Sequence, residues 1–348
     1  MFSYRWRLAD KYPAHGISVH GHTVFGTFVC GGGSTMGYKL AGFHHLGGVE
    51  IDPAVAAIYQ RNHNPHHLFV EDIRRFNERT DLPNELYQLD LLDGSPPCSS
   101  FSMAGSREKG WGKEKVFREG QALQRLDDLV FAYVDTIAKL QPRVAVLENV
   151  KGLLAGNAKA YVKTIVTKLQ QAGYAVQVFL LNAASMGVPQ TRERCFFVAR
   201  KEAAWPSLVL RFSEPPIVFG RIKTTENGKP LTGKVLQLWS GLQDGDADLG
   251  QVSLRLTGKA NQFGVKVQYD NKVSKTLIAG SPTVHRSKPF YLSAAEACSI
   301  GSFPQDYDFG TIEPQYLIGM SVPPVMTAHI AYQIYKQWFA KQPRSSDA

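Results

Sequence analysis

Between residues 23 and 199, short apolar runs alternate with longer stretches in which apolar side chains recur every three or four positions. Strands buried on both faces read as near-continuous apolar runs, and such runs predict strands over 24–29, 49–51, 68–70, 87–92, 144–147, 174–181 and 195–199. The longer patterns predict helices. One amphipathic stretch follows the sequence CGGGSTMG and runs to Phe43. Asp52 stands before Pro53, a capping acid followed by a residue preset for the first turn, so a helix over 53–61 is predicted. The longest pattern covers 121–140, with Leu123, Leu126, Leu129, Val130, Tyr133, Val134 and Ile137 on one side. A further helix over 161–171 is stopped by Gly173. This alternation predicts an α/β fold with a doubly wound, mostly parallel sheet.

Around residue 200 the pattern changes. Residues 201–290 are rich in Pro, Gly, Lys and Thr, with short extended runs, and Glu226-Asn227-Gly228-Lys229 carries a hairpin-turn signal. Helical patterns return over 292–300 and 325–339. The predicted organisation is a first domain over 1–200, a smaller loop- and strand-rich domain over 201–290, and a C-terminal segment, 291–348, that returns to the first. No internal repeat or low-complexity tract interrupts it.

Charge sharpens this division. The 348 residues hold 39 Lys and Arg against 30 Asp and Glu, a net of +9. Residues 200–290 contain 14 basic and 7 acidic side chains, so this segment carries +7 of that excess. A basic segment of this kind suits a polyanionic partner, with a solvated basic face as the plain alternative. The four cysteines, Cys30, Cys98, Cys195 and Cys298, form no CxxC pair, which argues against a disulfide framework or a zinc site and for a reducing compartment. No stretch approaches the roughly 18 apolar residues of a membrane span, and the N-terminus lacks the apolar centre of a secretory signal. A soluble cytoplasmic protein is expected.

Three motifs sit where predicted strands end, and a fourth just before one begins. Phe28-Val29-Cys30-Gly31-Gly32-Gly33 leads from the first strand into a helix, an arrangement that lets backbone approach a ligand closely. It does not fit GxGxxG in any register. Glu50 ends the next strand, placed to accept from ribose hydroxyls, and Asp72-Ile73 closes the third, placed near an adenine. Second comes Gly94-Ser95-Pro96-Pro97-Cys98-Ser99-Ser100-Phe101-Ser102, in which two prolines stiffen the approach to a thiol. The segment after it, with Gly105, Gly110, Gly112, Trp111 and several Lys and Arg, has the composition of a basic lid or of a plain surface loop. Third is Leu147-Glu148-Asn149-Val150, and fourth Gln190-Thr191-Arg192-Glu193-Arg194, whose arginines, two apart on an extended segment, point to one side and are expected to converge on one target.

In this order the motifs resemble those of the DNA (cytosine-5) methyltransferase family, and the resemblance spans most of the chain. Gly319-Met320-Ser321-Val322-Pro323-Pro324 resembles the family's closing motif, and residues 292–307 the motif before it. The sequence departs from the family pattern at Cys30, where Gly is usual, at Met320, where Asn is usual, and at Tyr291 and Gly301. The resemblance implies the fold of S-adenosylmethionine-dependent methyltransferases. It also implies methyl transfer from that cofactor, which leaves as S-adenosylhomocysteine, to C5 of cytosine in a specific double-stranded DNA sequence, with the base flipped out. Cys98 would attack C6, Glu148 bind N3, Arg194 hold O2, and Arg192 lie near the Cys98 loop or a phosphate. Asn149 would position. Phe28, Gly31, Gly32, Gly33, Glu50, Ile51, Asp72, Ile73, Pro97, Leu129, Ser321 and Val322 would surround the cofactor, and residues 201–290 would read the DNA. Trp111 is placed to brace the vacated stack. One site per chain makes a monomer sufficient, and a cognate restriction endonuclease would act separately. A catalytically silent relative, the same chemistry on RNA, and transfer of a different group are the competing readings.

Overall fold

The computed structural model describes residues 2–97, 128–155, 158–262 and 264–341. Cys98, the glycine-containing basic segment with Trp111, and the first part of the helix expected over 121–140 lie outside them.

The chain divides into two compact units. The larger takes in 13–181, 193–211 and the residues from 328 onward. At its centre is a seven-stranded sheet, built from β1 (Thr23–Thr27), β2 (His44–Glu50), β3 (His67–Val70), β4 (Leu91–Gly94), β5 (Val144–Val150), β6 (Ala175–Asn182) and β7 (Glu193–Arg200), in the order β3-β2-β1-β4-β5-β7-β6. The pairs β1–β2, β2–β3, β1–β4 and β4–β5 are parallel, whereas β5 and β7 run antiparallel. Strand order reverses between β1 and β4, and the carboxyl ends of parallel strands at such a reversal flank a ligand crevice.

Helices α1 (Gly33–Leu40), α2 (Pro53–His63), α3 (Ile73–Glu78), α4 (Leu129–Leu140) and α5 (Lys159–Gln171) connect these strands. Asp52 caps α2 as its sequence implies, accepting from the N–H groups of Ala54 at 2.9 Å and Val55 at 3.3 Å. One face of the sheet closes over Phe25, Phe76, Leu92, Val130, Tyr133 and Phe197, all buried. Two strands depart from expectation. β2 begins at His44, five residues before the apolar run, because a strand flanked on both sides by β1 and β3 is held by its ladder rather than by its side chains. Residues 84–88 form a 3-10 turn instead of a strand; Leu86 enters the core from that turn, and the strand starts only at Leu91.

The smaller unit comprises 1–12, 182–192 and 212–327. Its limits differ from those composition suggests: two short segments from elsewhere in the chain belong to it, and the chain leaves it near residue 327 rather than 291. It contains α6 (Gly233–Ser240), α7 (Leu249–Thr257), α8 (Ala294–Gly301) and α9 (Pro314–Met320), and α10 (Pro324–Gln337) begins in it. Two short parallel ladders join Lys266–Gln268 to Thr283–His285 and Gln190–Thr191 to Ser274–Lys275. Leu231, Leu238, Leu249, Val252, Val267 and Val284 make its core. The unit is richer in helix than its Pro- and Gly-containing sequence predicts. No hairpin forms at Glu226 to Lys229. The Tyr291 N–H instead donates to the Lys229 carbonyl at 2.9 Å. In α8, Ser293 and Glu296 form a reciprocal cap, and His285 bonds Glu296 at 2.9 Å with both side chains fully buried. Gly301, a departure from the family pattern, has a local cause: a Cβ there would lie 2.3 Å from the Ile318 side chain, so α8 and α9 pack at this distance only with glycine.

Several histidines are buried in neutral form. Burial pushes His20 down to about 4, with His22 alongside adding to the fall, and pushes His329 to about 4. Burial and the Lys39 charge push His63 to about 3, and burial puts His45 well below its usual value. Their unfolded forms take up protons below about pH 6.5 while the folded forms do not, so folded stability falls as pH falls. Asp93 and Glu50, both raised by burial, act in the opposite sense, but they are two groups against four. The expected outcome is a melting temperature that declines from about pH 7 to about pH 5 in scanning calorimetry.

Candidate active site

The loop after β1 is wound tightly. Phe28 at φ 55°, Cys30 at 48° and Gly32 at 75° all take left-handed backbone, and α1 begins at Gly33. The His63 ring packs beneath it, with Nε2 3.2 Å from the Gly31 carbonyl. A Cβ at residue 32 would come within 2.1 Å of that nitrogen, so the turn needs glycine for conformation and for space. Gly32 provides no side-chain cap, which leaves the start of α1 as a helix N-terminus offered to a polar ligand.

Glu50, at the end of β2, holds this loop. One carboxylate oxygen accepts from the Cys30 N–H and the other from the Asp52 N–H, each at 2.9 Å. Burial raises its pKa, and the N–H groups of Asp52, Cys30 and Ile51 oppose the rise. The acceptor capacity that remains on the carboxylate suits a ligand hydroxyl. Cys30, where the family usually has glycine, holds the loop through its backbone N–H. Ile51 follows with 37% exposure, an apolar surface beside the carboxylate. Asp72 caps α3 by accepting from the Arg74 N–H at 2.8 Å and pairs with the Arg74 guanidinium at 3.0 Å. The side chains of Ile73 and Leu129 are packed in the core, so what they offer a ligand is backbone. Pro97 is half-buried. Ser321 and Val322 are buried in the smaller unit, where Ser321 donates to the Leu317 carbonyl at 2.9 Å.

The end of β4 is tied on two sides. The Ser95 hydroxyl donates to the Phe28 carbonyl at 3.4 Å, and the Asn149 amide donates to the Pro96 carbonyl at 3.3 Å. Asn149 is itself fixed by accepting from the Val150 N–H at 2.8 Å. Ser95 and Pro96, three and two residues before the thiol position, are thereby anchored to the loop after β1 and to β5. Cys98 lies outside the described residues.

Antiparallel register places Val150 opposite Arg194 and Glu148 opposite Phe196. Glu148 and Arg194 are thus diagonal neighbours on one face, and their side chains meet at 3.0 Å. Both are largely buried. The Arg194 guanidinium also donates to the Glu193 carbonyl at 2.8 Å. Arg192 does not share the role its spacing suggests. It is buried in the smaller unit, where its guanidinium donates twice to the Gly319 carbonyl at 3.2 Å, close to the C-terminus of α9. A buried guanidinium must find acceptors, and the last carbonyls of a helix provide them. Cys195 and Cys298 are structural thiols, both pushed up to about 12 by burial.

Sequence reasoning missed Asp93. Its buried carboxylate accepts from the Tyr38 hydroxyl of α1 at 3.0 Å and from the Ser34 hydroxyl. Its one signal in the sequence is an acid closing an apolar strand directly before the Gly94-Ser95-Pro96-Pro97 turn.

The sheet order, the antiparallel β7 and a helix start at the first crevice define the fold of S-adenosylmethionine-dependent methyltransferases. Residues 23–227 match the family model of the C-5 cytosine-specific DNA methylases, and the chain belongs to that family. It is a DNA (cytosine-5) methyltransferase, and family and fold imply S-adenosylmethionine as its cofactor. It is 27% identical to the type II methyltransferase M1.HphI of Haemophilus parahaemolyticus, over 94% of this chain and 89% of that one. With M.AplI, a type II methyltransferase of Arthrospira platensis, it shares 29% identity over 93% and 88%. Among solved structures, DNMT2 of Spodoptera frugiperda superposes with a TM-score of 0.64 at 16% identity, covering 90% of this chain and all of that one, 100%. Among the described residues no helix is long and apolar enough to cross a membrane.

Replacing Asn149 with Ala removes the bond to Pro96 and leaves a carbonyl unpaired, at a cost of about 1–2 kcal/mol. If that tie positions the thiol loop, single-turnover methyl transfer should slow roughly tenfold while DNA affinity stays near wild type, as rapid-quench and anisotropy measurements would report.

Proposed function

We propose that this enzyme methylates cytosine C5 in one particular double-stranded DNA sequence through a transient bond between Cys98 and C6 of a flipped-out base. Cytosine C5 is a poor nucleophile because the ring is aromatic and electron-poor. Thiolate addition at C6 turns C5 into an enamine carbon. When bound, S-adenosylmethionine supplies the electrophilic methyl group. The Cys98 thiolate makes the bond. Glu148 binds N3 and the exocyclic amine, and must carry a proton toward N3, since N3 of neutral cytosine is itself an acceptor. Arg194 steadies the Glu148 carboxyl and holds O2. Asn149 sets the loop that presents the thiol. Loss of the C5 proton and departure of Cys98 restore aromaticity.

The observation that carries this reading is the Glu148–Arg194 pair, 3.0 Å apart at the end of β5, beside an Asn149 bonded two residues before the thiol position. The cofactor reading rests on the glycine turn, which leaves the start of α1 without a side-chain cap, and on Glu50, whose remaining acceptor directions suit ribose hydroxyls. Ile51 supplies an apolar face for the adenine.

Residues 201–290 are the segment we assign to DNA. Its four aspartates pair internally: Asp244 with Arg286, Asp246 with Arg255, Asp248 with Lys266 and Asp270 with Lys223. The net positive charge therefore resides on the other basic side chains, which suits phosphate contacts. We assign no fixed oligomer, since one chain contains every group named, and a restriction endonuclease, where present, acts as a separate protein.

An oligonucleotide containing 5-fluorocytosine should become covalently attached in the presence of S-adenosylmethionine, because fluorine cannot leave as the C5 proton does. Cys98→Ser should abolish that adduct and lower turnover by at least about a thousandfold. Attachment by Cys98→Ser, or equal turnover, would refute the mechanism. Bisulfite sequencing of a treated plasmid reads out the modified sequence. DNA affinity should fall steeply between about 50 mM and about 200 mM salt in anisotropy titrations.

A further inference from the structure

Asp93 is a buried acid with no cation partner among the described residues. Its carboxylate is held by two hydroxyls, Tyr38 at 3.0 Å and Ser34 in the first turn of α1. In the parallel β4–β5 ladder Asp93 stands beside Val146. Side chains two apart along a strand share a face, so Glu148 emerges on the same face as Asp93, one strand over and one step up. Glu148 is in turn bonded by Arg194 from β7. The sheet edge therefore sets Asp93, Glu148 and Arg194 across three adjacent strands, acid, acid and cation, with the acid of catalytic interest in the middle.

We propose that Asp93 is a positioning residue for the proton on Glu148: when ionised, its charge opposes that of Arg194 and raises the proton affinity of the carboxyl that must donate to cytosine N3. This rests on the reading of Glu148 given above. Arg194 alone would favour the ionised form of Glu148, and an ionised carboxylate presents lone pairs to the lone pair of N3. Two carboxylates confined in a buried site cannot both ionise cheaply, so the pair retains one proton between them over a range of pH. Burial pushes Asp93 up to about 7, and the Glu148 charge adds to the rise; the Tyr38 and Ser34 hydroxyls pull the other way. The other titratable groups facing Asp93 are Tyr38, Tyr59 and Tyr133, all raised above 10 by burial and so neutral at neutral pH. Among the described residues, Asp93, Arg194 and the un-ionised Cys195 thiol act on Glu148.

The test is the pH profile of single-turnover methyl transfer, with DNA and S-adenosylmethionine saturating. In the wild-type enzyme the rate should fall as pH rises through the titration of the pair. Asp93→Asn is nearly isosteric and keeps an acceptor for both hydroxyls, but removes the charge. Glu148 then loses its proton more readily, so this limb should move to lower pH by about one unit, with the rate on its acid side retained. Tyr38→Phe removes a bond to the Asp93 carboxylate and should move the limb the same way by less, which provides a reading should Asp93→Asn fail to fold. Limbs that superimpose on wild type in a folded variant would overturn the proposal, as would a uniform loss of rate without displacement, which is what a structural role alone predicts. Wild-type enzyme that transfers no methyl group to DNA at any pH, or Glu148→Gln with wild-type rates, would overturn the reading beneath it instead.

Discussion

The antiparallel pairing of β5 with β7 is the constraint on which the site depends. A doubly wound sheet is otherwise parallel, and a parallel neighbour would enter the crevice from its far end. Because β7 runs the other way, its first residues lie beside the last residues of β5, and Arg194 meets Glu148 across one register step. A slip of one residue would turn either side chain to the opposite face. Apolar contacts guard against that slip: Phe197 and Ala199 pack in the same core as Ala145 and Leu147. The chemistry at the sheet edge is thus fixed by packing in its middle.

A second consequence of the sheet is that its rim is bound together loop to loop. The first crevice loop is held to β2 through Glu50, the β4 turn to the first loop through Ser95, and the β5 end to the β4 turn through Asn149. Each tie is a modest hydrogen bond, but all three act on backbone that approaches the same edge. Residues with no part in bond making thereby set the placement of those that have one.

Much of this was legible in the sequence where apolar pattern and function coincide. The alternation from β1 to β5, the Asp52–Pro53 helix start and the terminal placement of Glu50, Glu148 and the thiol motif all follow from runs that end in a polar residue. What was not legible depends on partners distant in sequence. β2 begins with histidines and is a strand because two neighbours pair with it. The start of the 87–92 run belongs to a turn because Leu86 can reach the core without extension. Helices α6 and α7 arise within a segment whose Pro, Gly and Thr content suggested extended chain, and their apolar residues meet strands some 30 residues further on. Spacing aligned Arg192 with Arg194, yet Arg192 answers to the carbonyls at the end of α9. Asp93 drew no reading from the sequence, since only the arrival of Tyr38 and Ser34 from α1 shows that water has been replaced by hydroxyls.

The smaller unit is assembled from three separated stretches of chain. The Arg5 guanidinium donates to the Arg221 carbonyl at 2.6 Å, the Leu277 N–H to the Gln190 side-chain oxygen at 3.2 Å, and the Thr276 hydroxyl to the Thr191 carbonyl at 2.7 Å. A graft intended to transplant sequence preference between relatives by exchanging residues 201–290 would therefore sever a fold rather than lift out a module. Its seams would cross hydrogen bonds contributed by the N-terminus and by the segment before Arg192. Chimeras cut to carry those pieces along would preserve what the middle segment needs in order to keep its shape.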